Sequence, residues 1–410
     1  MTPRILGIDI SDHSTSLVSY KEEEALRFPT VIGKERMEER WVTGEEAFEI
    51  VLNGKGVKTD KLLTLMLRDG TSTLNGIKYS GMELMKLFLK NVINAGIEKF
   101  QSGYPERIVV SLPKVDSEII EKFFACFQEL GYLRNDVHII GRCESFIYYV
   151  MSQSKEVWNN QVGLFSLGDA NLTYYEMRVQ RNARNTVVYA EREELEEGFN
   201  LDLINYAAGA KLADKILTSC AERVMKKKIF SSIMLSGKGF ETTEWAASFL
   251  KFICSGRRAY ADPDLFAKGA CFRGVDLAME KPIFNFTCIC EGRLDTGISL
   301  NMKKKDKEYS YQLANAGDTW YEIKKNLRLI ADDEGGLEII LSPVDIYQKK
   351  RTVRIPLDFI PLRPPKTMRI QLEVKCKDDK TMLLRIEDAG FGELFPSSGK
   401  SIVEEVELWD

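Results

Sequence analysis

Acidic and hydroxyl side chains follow the first apolar segment of the chain, in the stretch GIDISDHSTS at residues 7–16. Asp9 lies in a run that is apolar on both faces, as a buried central strand is. A carboxylate there could hold Mg²⁺ through water, and a turn of Ser11, Asp12 and His13 could present backbone N–H groups to phosphates. Because Asp and Ser also favour ordinary turns, a β-hairpin without a ligand explains the same residues and is favoured on sequence physics alone.

A second stretch, VGLFSLGDANLTYYEMR at residues 162–178, has the same outline of apolar strand, small turn and returning strand. Gly168 permits close approach of a ligand, and Asn171 could hydrogen-bond a phosphate oxygen. Asp169 instead places a negative charge there, and the repulsion is about 4 kcal/mol per charge pair at ~4 Å with an effective dielectric of ~20. Only a bridging cation would reverse its sign, so a structural hairpin turn is at least as good an explanation.

A third stretch, IMLSGKGFETTEW at residues 233–245, predicts a strand that leads through Ser236, Gly237, Lys238 and Gly239 into a helix capped by Thr242 or Thr243. Backbone N–H groups at such a helix start suit a nucleotide or a sugar. An ordinary βα loop with a left-handed glycine explains this stretch better when it is taken alone. A fourth stretch, DPDLFAKGACFRG at residues 262–274, predicts only a helix, with Asp262 as cap and Pro263 at its first position.

The predicted elements that would position these loops follow two different sequence patterns along the chain. Strand and helix patterns alternate through the first part, which predicts βαβ units and a parallel sheet. Residues 162–178 repeat the pattern of residues 4–20, which predicts two lobes around a cleft. After Pro282, short alternating runs separated by turns predict a β-sandwich of about a hundred residues or slightly more. The predicted divisions are residues 1–155, 156–280 and 281–410.

Composition limits the partners that we expect. The formal net charge of -4 gives no reason to expect nucleic acid or an anionic membrane as a partner. The sequence holds 8 cysteines without a C-x-x-C pair and only 2 histidines, which disfavours zinc and favours reduced thiols. We expect a cytoplasmic protein, because no signal peptide and no run of ~18 apolar residues is present.

The order of these stretches resembles the actin, sugar-kinase and heat-shock ATPase superfold, and more closely the DnaK-type heat-shock chaperones of the seventy-kilodalton class. That family begins G-I-D-L-G-T-T-N-S, which is similar to GIDISDHST here. LFSLGDANLTYYEM stands where the family has F-D-L-G-G-G-T-F-D, IMLSGKGF at V-L-V-G-G-S-T, and DPDLFAKGACFRG at P-D-E-A-V-A-x-G-A-A. The stretch IPLRPPKTMRIQLEVKCKDDKTMLLRIEDAGFGE is similar to the end of the family's substrate-binding β-sandwich.

The resemblance implies an α/β two-lobed actin-like ATPase fold, with duplicated ribonuclease H-like lobes, followed by a C-terminal β-sandwich. It implies that ATP or ADP lies in the cleft with Mg²⁺, which Asp9 would serve and to which Asp169 adds a second carboxylate. Lys61 aligns with the family's catalytic lysine, and Glu144 with its glutamate near the attacking water. Both are vestigial catalytic candidates here.

The departures from the family concern the phosphate loops. The aspartate that opens D-L-G-G-G-T is Ser166 here, Asp169 and Ala170 replace glycines, and Asn171 replaces the threonine. Phosphoryl transfer depends on a preorganised cradle and on carboxylate-held magnesium, so these changes should cripple hydrolysis. The short segment between Thr173 and Ser236 also lacks room for the family's upper subdomain of the second lobe, and no helical lid follows the sandwich.

We therefore expect a divergent chaperone-like protein whose nucleotide site is degenerate. It would be a non-hydrolysing interaction or scaffold protein for protein or peptide partners, with nucleotide and Mg²⁺ bound weakly or not at all. The alternative is an active Mg-ATP-dependent chaperone-like ATPase that uses Asp9, Asp12 or Asp169 around a metal. A sugar or acetate kinase is disfavoured because it leaves the sandwich unexplained. The sequence predicts no oligomeric state.

Overall fold

The structure is a computed structural model that describes residues 4–20, 22, 24–38, 40–101, 103–169, 171–181, 186–304, 307–331, 336–345, 347–364 and 366–408. Ala170, one of the substituted loop positions, lies outside these residues. The chain divides into two compact units, Met1–Phe286 (unit 1) and Thr287–Asp410 (unit 2). The division predicted at 280/281 lies before this boundary. The carboxylate of Asp276 accepts the N–H groups of Ile283 and Phe284 at 2.8 and 3.1 Å, which ties that segment to unit 1.

Unit 1 alternates strands and helices in chain order. Its helices are α1 (Glu45–Leu52), α2 (Leu62–Leu67), α3 (Gly81–Phe100), α4 (Ser117–Glu129), α5 (Arg142–Met151), α6 (Ala207–Val224), α7 (Ala247–Ile253) and α8 (Leu265–Ala278). Its strands are β1 (Ile5–Ile10), β2 (Ser14–Ser19), β3 (Leu26–Pro29), β4 (Ile32–Glu35), β5 (Trp41–Thr43), β6 (Gly56–Thr59), β7 (Thr71–Leu74), β8 (Ile77–Ser80), β9 (Arg107–Leu112), β10 (Val137–Gly141), β11 (Gln161–Leu167), β12 (Leu172–Arg181), β13 (Thr186–Leu195), β14 (Phe230–Ser236) and β15 (Arg258–Ala261). None of the helices among the described residues combines the length and apolarity needed to cross a bilayer.

The two large sheets of unit 1 have the same topology. The first has the strand order β10-β9-β1-β2-β3, and the second has the order β15-β14-β11-β12-β13 within unit 1. In each sheet the first three strands form an antiparallel meander and the later two run parallel to the first. The predicted division at 155/156 falls in the short 3-10 turn Lys155–Val157 between the two halves. The β1–β2 hairpin of the first sheet and the β11–β12 hairpin of the second sheet therefore occupy equivalent positions.

Helix α8 packs against the first sheet and α5 at very short range. A Cβ added at Gly269 would lie 1.9 Å from the carbonyl oxygen of Ser145 in α5, and one at Gly7 would lie 2.3 Å from the carbonyl oxygen of Ala267. Real Cβ atoms do not approach a backbone oxygen this closely, so glycine is required at both positions. These contacts hold the α8 side of the second half against the central strand β1.

Helix α4 is capped by Asp116, whose side chain accepts the N–H of Ile119 at 2.9 Å, and Ser117 is its first residue. Two other helix starts differ from the sequence predictions. Helix α8 begins after Asp264. Helix α7 begins at Ala247 without a side-chain cap of its own, because Asp214 of α6 accepts the N–H groups of Ser248 and Phe249 at 3.0 and 2.9 Å. The α7 N–H groups that sequence reasoning assigned to a ligand therefore have a protein partner.

Unit 2 consists of strands. They are β16 (Thr287–Ile289), β17 (Thr296–Lys304), β18 (Lys307–Ala314), β19 (Lys324–Ile330), β20 (Gly336–Pro343), β21 (Arg351–Pro356), β22 (Arg369–Cys376), β23 (Thr381–Asp388) and β24 (Ser401–Glu407). Two antiparallel sheets have the orders β18-β17-β20-β21 and β19-β22-β23-β24. Along β22 and β23 every second residue is buried, which gives the second sheet one apolar face.

A buried ion pair holds the loop after β23. Arg363 donates to both carboxylate oxygens of Asp388 at 2.8 and 2.6 Å, and the N–H groups of Gly390 and Ser398 donate to them at 2.9 and 2.7 Å. Both side chains are inaccessible or nearly so, at 5% and 0% exposure. Burial alone would raise the pKa of Asp388, but Arg363 and the N–H donors outweigh it and hold this pKa well below its usual range.

We expect Asp388→Asn to destabilise unit 2 by about 3–5 kcal/mol at neutral pH, because it leaves the Arg363 charge buried without its partner. The folded pKa of Asp388 lies below the unfolded value, so the carboxylate's contribution is present above about pH 4 and is lost as the pH falls toward the folded value. The measurement is urea unfolding of the full chain, monitored by hydrogen exchange of the backbone amides of β22 and β23. The deficit of the variant should shrink below about pH 4.

Glu393→Gln is the matched control, since Glu393 is an exposed carboxylate in the same loop. It should change the free energy of unfolding by no more than about 0.5 kcal/mol. A deficit in Asp388→Asn that is equally small, or that does not change with pH, would contradict the role of the pair.

Candidate functional site

Three loops from separate parts of unit 1 meet around Asp169. Lys238 Nζ lies 2.8 Å from Asp169 Oδ1, and His13 Nδ1 lies 3.7 Å from Asp169 Oδ2. We call this meeting point the three-loop junction: residues 11–13 after β1, residues 168, 169 and 171 after β11, and residues 236–239 at the end of β14. The fold thus brings together the three stretches in which sequence analysis placed phosphate-binding residues.

The first loop closes on itself. The N–H of Ser11 donates to the Ser14 carbonyl at 2.9 Å, and the N–H of Ser14 donates to Ser11 Oγ at 3.1 Å. The carboxylate of Asp12 accepts the N–H of Thr64 at 2.9 Å and also its hydroxyl, so Asp12 caps the start of α2. Among the described residues it is Thr64, and not Lys61, that α2 contributes to this loop. Lys61 is exposed and begins the helix in a left-handed conformation, with φ 53°.

The second loop is a tight turn that closes between Gly168 and Asn171. The N–H of Gly168 donates to the Asn171 carbonyl at 2.9 Å. A Cβ at Gly168 would lie 2.2 Å from Asn171 Oδ1, which shows that the amide folds back over the turn. Before the turn, Ser166 pairs in register with Thr173 on β12 and with Ser236 on β14. These three buried hydroxyl residues form one row across the second sheet.

The glycines of the third loop allow it to pack closely against the end of β11. Gly237 has φ 90°, and a Cβ there would lie 2.5 Å from the carbonyl oxygen of Leu167. A Cβ at Gly239 would lie 2.4 Å from the Leu167 side chain. The loop therefore lies directly on the end of β11. Lys238 points its ammonium to Asp169, whose hydrogen bond raises the pKa of Lys238 above its usual value.

Asp9 forms a two-point ion pair with a residue that follows β10. Arg142 donates from Nε to Asp9 Oδ1 at 3.0 Å and from Nη2 to Asp9 Oδ2 at 2.8 Å. The two side chains are only 14% and 11% exposed. Such a parallel arrangement of two N–H···O bonds is the strongest way in which arginine binds a carboxylate. Each oxygen of the carboxylate predicted to serve magnesium thus accepts a bond from the chain's own guanidinium.

Arg142 also joins the two halves of unit 1. Its guanidinium interacts electrostatically with Tyr175 of β12 and lies 4.8 Å from the ring centroid of Phe266 in α8. Burial disfavours its charge, but Asp9 outweighs burial and raises the pKa of Arg142 above its usual value. Burial also raises the pKa of Tyr175, so its hydroxyl stays protonated at neutral pH. Arg142 is therefore a permanent cation beside Asp9, the carboxylate that the sequence predicted to serve magnesium.

Glu144 and Asp264 also have arginine partners. Glu144 Oε1 lies 3.1 Å from Nε of Arg273 on α8, and the glutamate side chain is only 4% exposed. Asp264 accepts two bonds from Arg27 at 2.7 and 2.6 Å and one from the Ser16 hydroxyl at 3.0 Å. Ser16 on β2 is the register partner of both Asp9 on β1 and Arg27 on β3, so one row of the first sheet carries a member of each arginine–aspartate pair. Asp9, Glu144, Asp169 and Asp264 thus each have a cationic partner within the chain.

Two family models match the chain, one in each unit. A model described as "Family of unknown function (DUF5716) C-terminal" matches residues 13–291, which is more than half of the chain. The chain belongs to this family. A second model, "Domain of unknown function (DUF8552)", matches residues 293–408. The limit between the two matches lies close to the limit between unit 1 and unit 2. No curated protein matches the chain.

Sequence reasoning missed Arg142 and the pairing role of Lys238. One signal could have indicated Arg142: β1, β9 and β10 are successive parallel strands, so the residue after β10 returns to the edge at which Asp9 lies. An arginine directly after such a strand is a natural partner for the carboxylate. Lys238 was assigned to ligand binding, and its position beside Asp169 could not be inferred without the arrangement of the two loops.

We expect Asp9→Asn and Arg142→Gln each to cost about 3–5 kcal/mol of stability, because each leaves the other side chain buried without its charge partner. The double variant should lose much less than the sum, which gives a coupling energy of about 2–3 kcal/mol. The measurement is chemical denaturation of the four proteins at neutral pH.

The same cycle on Asp169→Asn and Lys238→Gln is the matched control, since Lys238 is 66% exposed. We expect a coupling energy below about 1 kcal/mol there. Equal coupling in the two cycles would contradict the assignment of Asp9–Arg142 as the structural pair of the site.

Proposed function

We propose that this protein is a divergent relative of the DnaK-type chaperones whose nucleotide site has been replaced by internal ion pairs. In this proposal it hydrolyses no nucleotide and acts as an interaction or scaffold protein for protein or peptide partners. The observation that carries the proposal is the buried two-point pair between Asp9 and Arg142.

The residues at the junction do not fit a magnesium ion. Mg²⁺ requires near-octahedral oxygen ligands and is normally held by carboxylates together with its own waters. Both oxygens of Asp9 accept bonds from Arg142, and Asp169 accepts one from Lys238. A guanidinium at 2.8 Å from the carboxylate repels a divalent cation at the same place. Ser166, at the second carboxylate position, adds no charge that would compensate.

The proposal for the fold rests on strand order. An identical order and identical directions in two sheets support duplicated ribonuclease H-like lobes of the actin-like kind. The segment between β13 and β14 holds only α6 and the short turn Leu201–Asn205, which supports the absence of an upper subdomain in the second lobe. The two antiparallel sheets of unit 2 support a β-sandwich. We propose a cytoplasmic location, which the eight free cysteine thiols support.

A partner-binding role is favoured by what the chain has kept. The loops still converge, and α8 still closes on β1 through glycines that tolerate no side chain. The carboxylates Asp9, Asp169 and Asp264 already accept bonds from Arg142, Lys238 and Arg27. A fold held together without ligand presents a constant surface, which suits a scaffold better than a cycle of opening and closing.

The alternative is an Mg-ATP-dependent ATPase with altered loops. One observation favours it: His13, Asp169 and Lys238 meet at the place where three phosphate-binding loops would meet. In that case Lys238 would have to leave Asp169 for a phosphate oxygen.

The test is calorimetric titration and thermal unfolding of the full chain with ATP, ADP and GTP in the presence of Mg²⁺, together with a phosphate-release assay. We expect no saturable heat, no change in the unfolding temperature and no phosphate release above background. The physical reason is that both carboxylates already have cationic partners.

Lys238→Ala and Lys251→Ala serve as matched variants, one at the junction and one on the exposed face of α7. A ligand at ~100 times its dissociation constant adds about 2.7 kcal/mol of stability. An effect of this size in the wild type, retained by Lys251→Ala and lost in Lys238→Ala, would establish the ATPase alternative instead.

A further inference from the structure

One sheet of unit 2 has edges of opposite charge. In the order β19-β22-β23-β24, the edge strands are β19 and β24. The first carries Lys324, Lys325 and Arg328, and all three are exposed. The second carries the exposed residues Glu404, Glu405 and Glu407. An edge strand presents a row of backbone N–H and C=O groups to solvent and is a template for another strand.

The register of the sheet aligns the two charged edges. One row of directly opposed residues runs Lys324, Lys375, Leu383 and Glu405, and the next runs Lys325, Val374, Leu384 and Glu404. A third row begins at Leu327 and ends at Ile402. Residues of one row lie on the same face of the sheet. Lysine at one edge therefore corresponds to glutamate at the other in two successive rows.

The strand directions permit the sheet to continue from one chain to another. All three pairings are antiparallel, so β19 and β24 run in opposite directions. A second copy shifted sideways by one sheet width would place its β19 antiparallel beside β24 of the first. In the unsheared register Glu405 then opposes Lys324 of the next copy, Glu404 opposes Lys325, and Ile402 opposes Leu327. Opposite charges and apolar residues in such cross-strand positions stabilise pairing.

We propose that the protein self-associates through this sheet, with β24 of one copy pairing with β19 of the next. The occupant of each edge is a second copy of this chain, because both complementary edges belong to the same sheet and match in register. Charged edge strands normally prevent pairing, and here like charges disfavour β19 against β19 and β24 against β24. The head-to-tail contact is heterologous, so it generates linear oligomers or rings.

The ion pair between Lys377 and Glu405 does not block this contact. Its N···O distance is 3.5 Å, and both side chains are more than half exposed, at 56% and 58%. An exposed pair of this kind contributes about 0–1 kcal/mol and yields easily to a new partner. The inference concerns unit 2 alone and stands independently of the nucleotide site.

The experiment uses two charge-reversal variants of the full chain, studied by sedimentation velocity and light scattering at low and high salt. The first variant is Lys324→Glu with Lys325→Glu, and the second is Glu404→Lys with Glu405→Lys. We expect the wild type to associate at low salt, and each variant alone to associate at least about tenfold more weakly, because two opposed pairs become like-charged. An equimolar mixture of the two variants should associate again, since each then offers the other a complementary edge.

The rescue by mixing requires folded proteins, so it separates loss of contact from loss of structure. Lys349→Glu with Lys350→Glu is the control, with the same change of charge at exposed positions before β21, and should associate like the wild type. A wild type that stays monomeric at about 100 µM in low salt would overturn the proposal, because association with a dissociation constant of about 100 µM or below is detectable at that concentration. Variants that associate like the wild type, a mixture that stays apart, or a β24-sequence peptide that binds a monomeric wild type would also overturn it.

Discussion

The buried pair of Asp9 and Arg142 is the interaction on which unit 1 depends. A charge removed from water must be paired and hydrogen-bonded, or it costs several kcal/mol. Asp9 lies on the central strand, and both of its carboxylate oxygens accept bonds from the guanidinium that follows β10. Arg142 in turn interacts electrostatically with Tyr175 of the second sheet and lies over the ring of Phe266 in α8. One ion pair thus lies where two sheets and a helix of unit 1 meet.

The same solution recurs at each position where the fold would otherwise offer a ligand a charge. Asp169 is paired with Lys238, and Asp264 with Arg27. Asp214 fills the start of α7, where a phosphate could otherwise lie. Each arrangement satisfies a charged or polar group from within the chain.

Local patterns predicted the elements well, because periodicity and turn chemistry act over short distances. The turn at Gly168 lies between β11 and β12, as the alternation in residues 162–178 predicted. The start of α7 was wrong because its cap, Asp214, comes from another helix, 35 residues before Phe249. The repeated strand patterns predicted two similar halves whose loops face a common cleft. They did not predict which side chains pair within the junction, since ion pairs between loops depend on tertiary structure.

Arginine and carboxylate side chains pair within the chain and are largely withdrawn from water in both units, at Asp9–Arg142 and Glu144–Arg273 in unit 1 and at Arg363–Asp388 in unit 2. On the β19 and β24 edges of unit 2 the lysines and glutamates stay in solvent, separated by the full width of a sheet. Charged groups that are already paired within a chain interact weakly with another molecule. Exposed charges beside unpaired backbone groups can attract an added strand and set its register. The exposed charges of the β19 and β24 edges are therefore the ones in this chain that are placed to take part in pairing with an added strand.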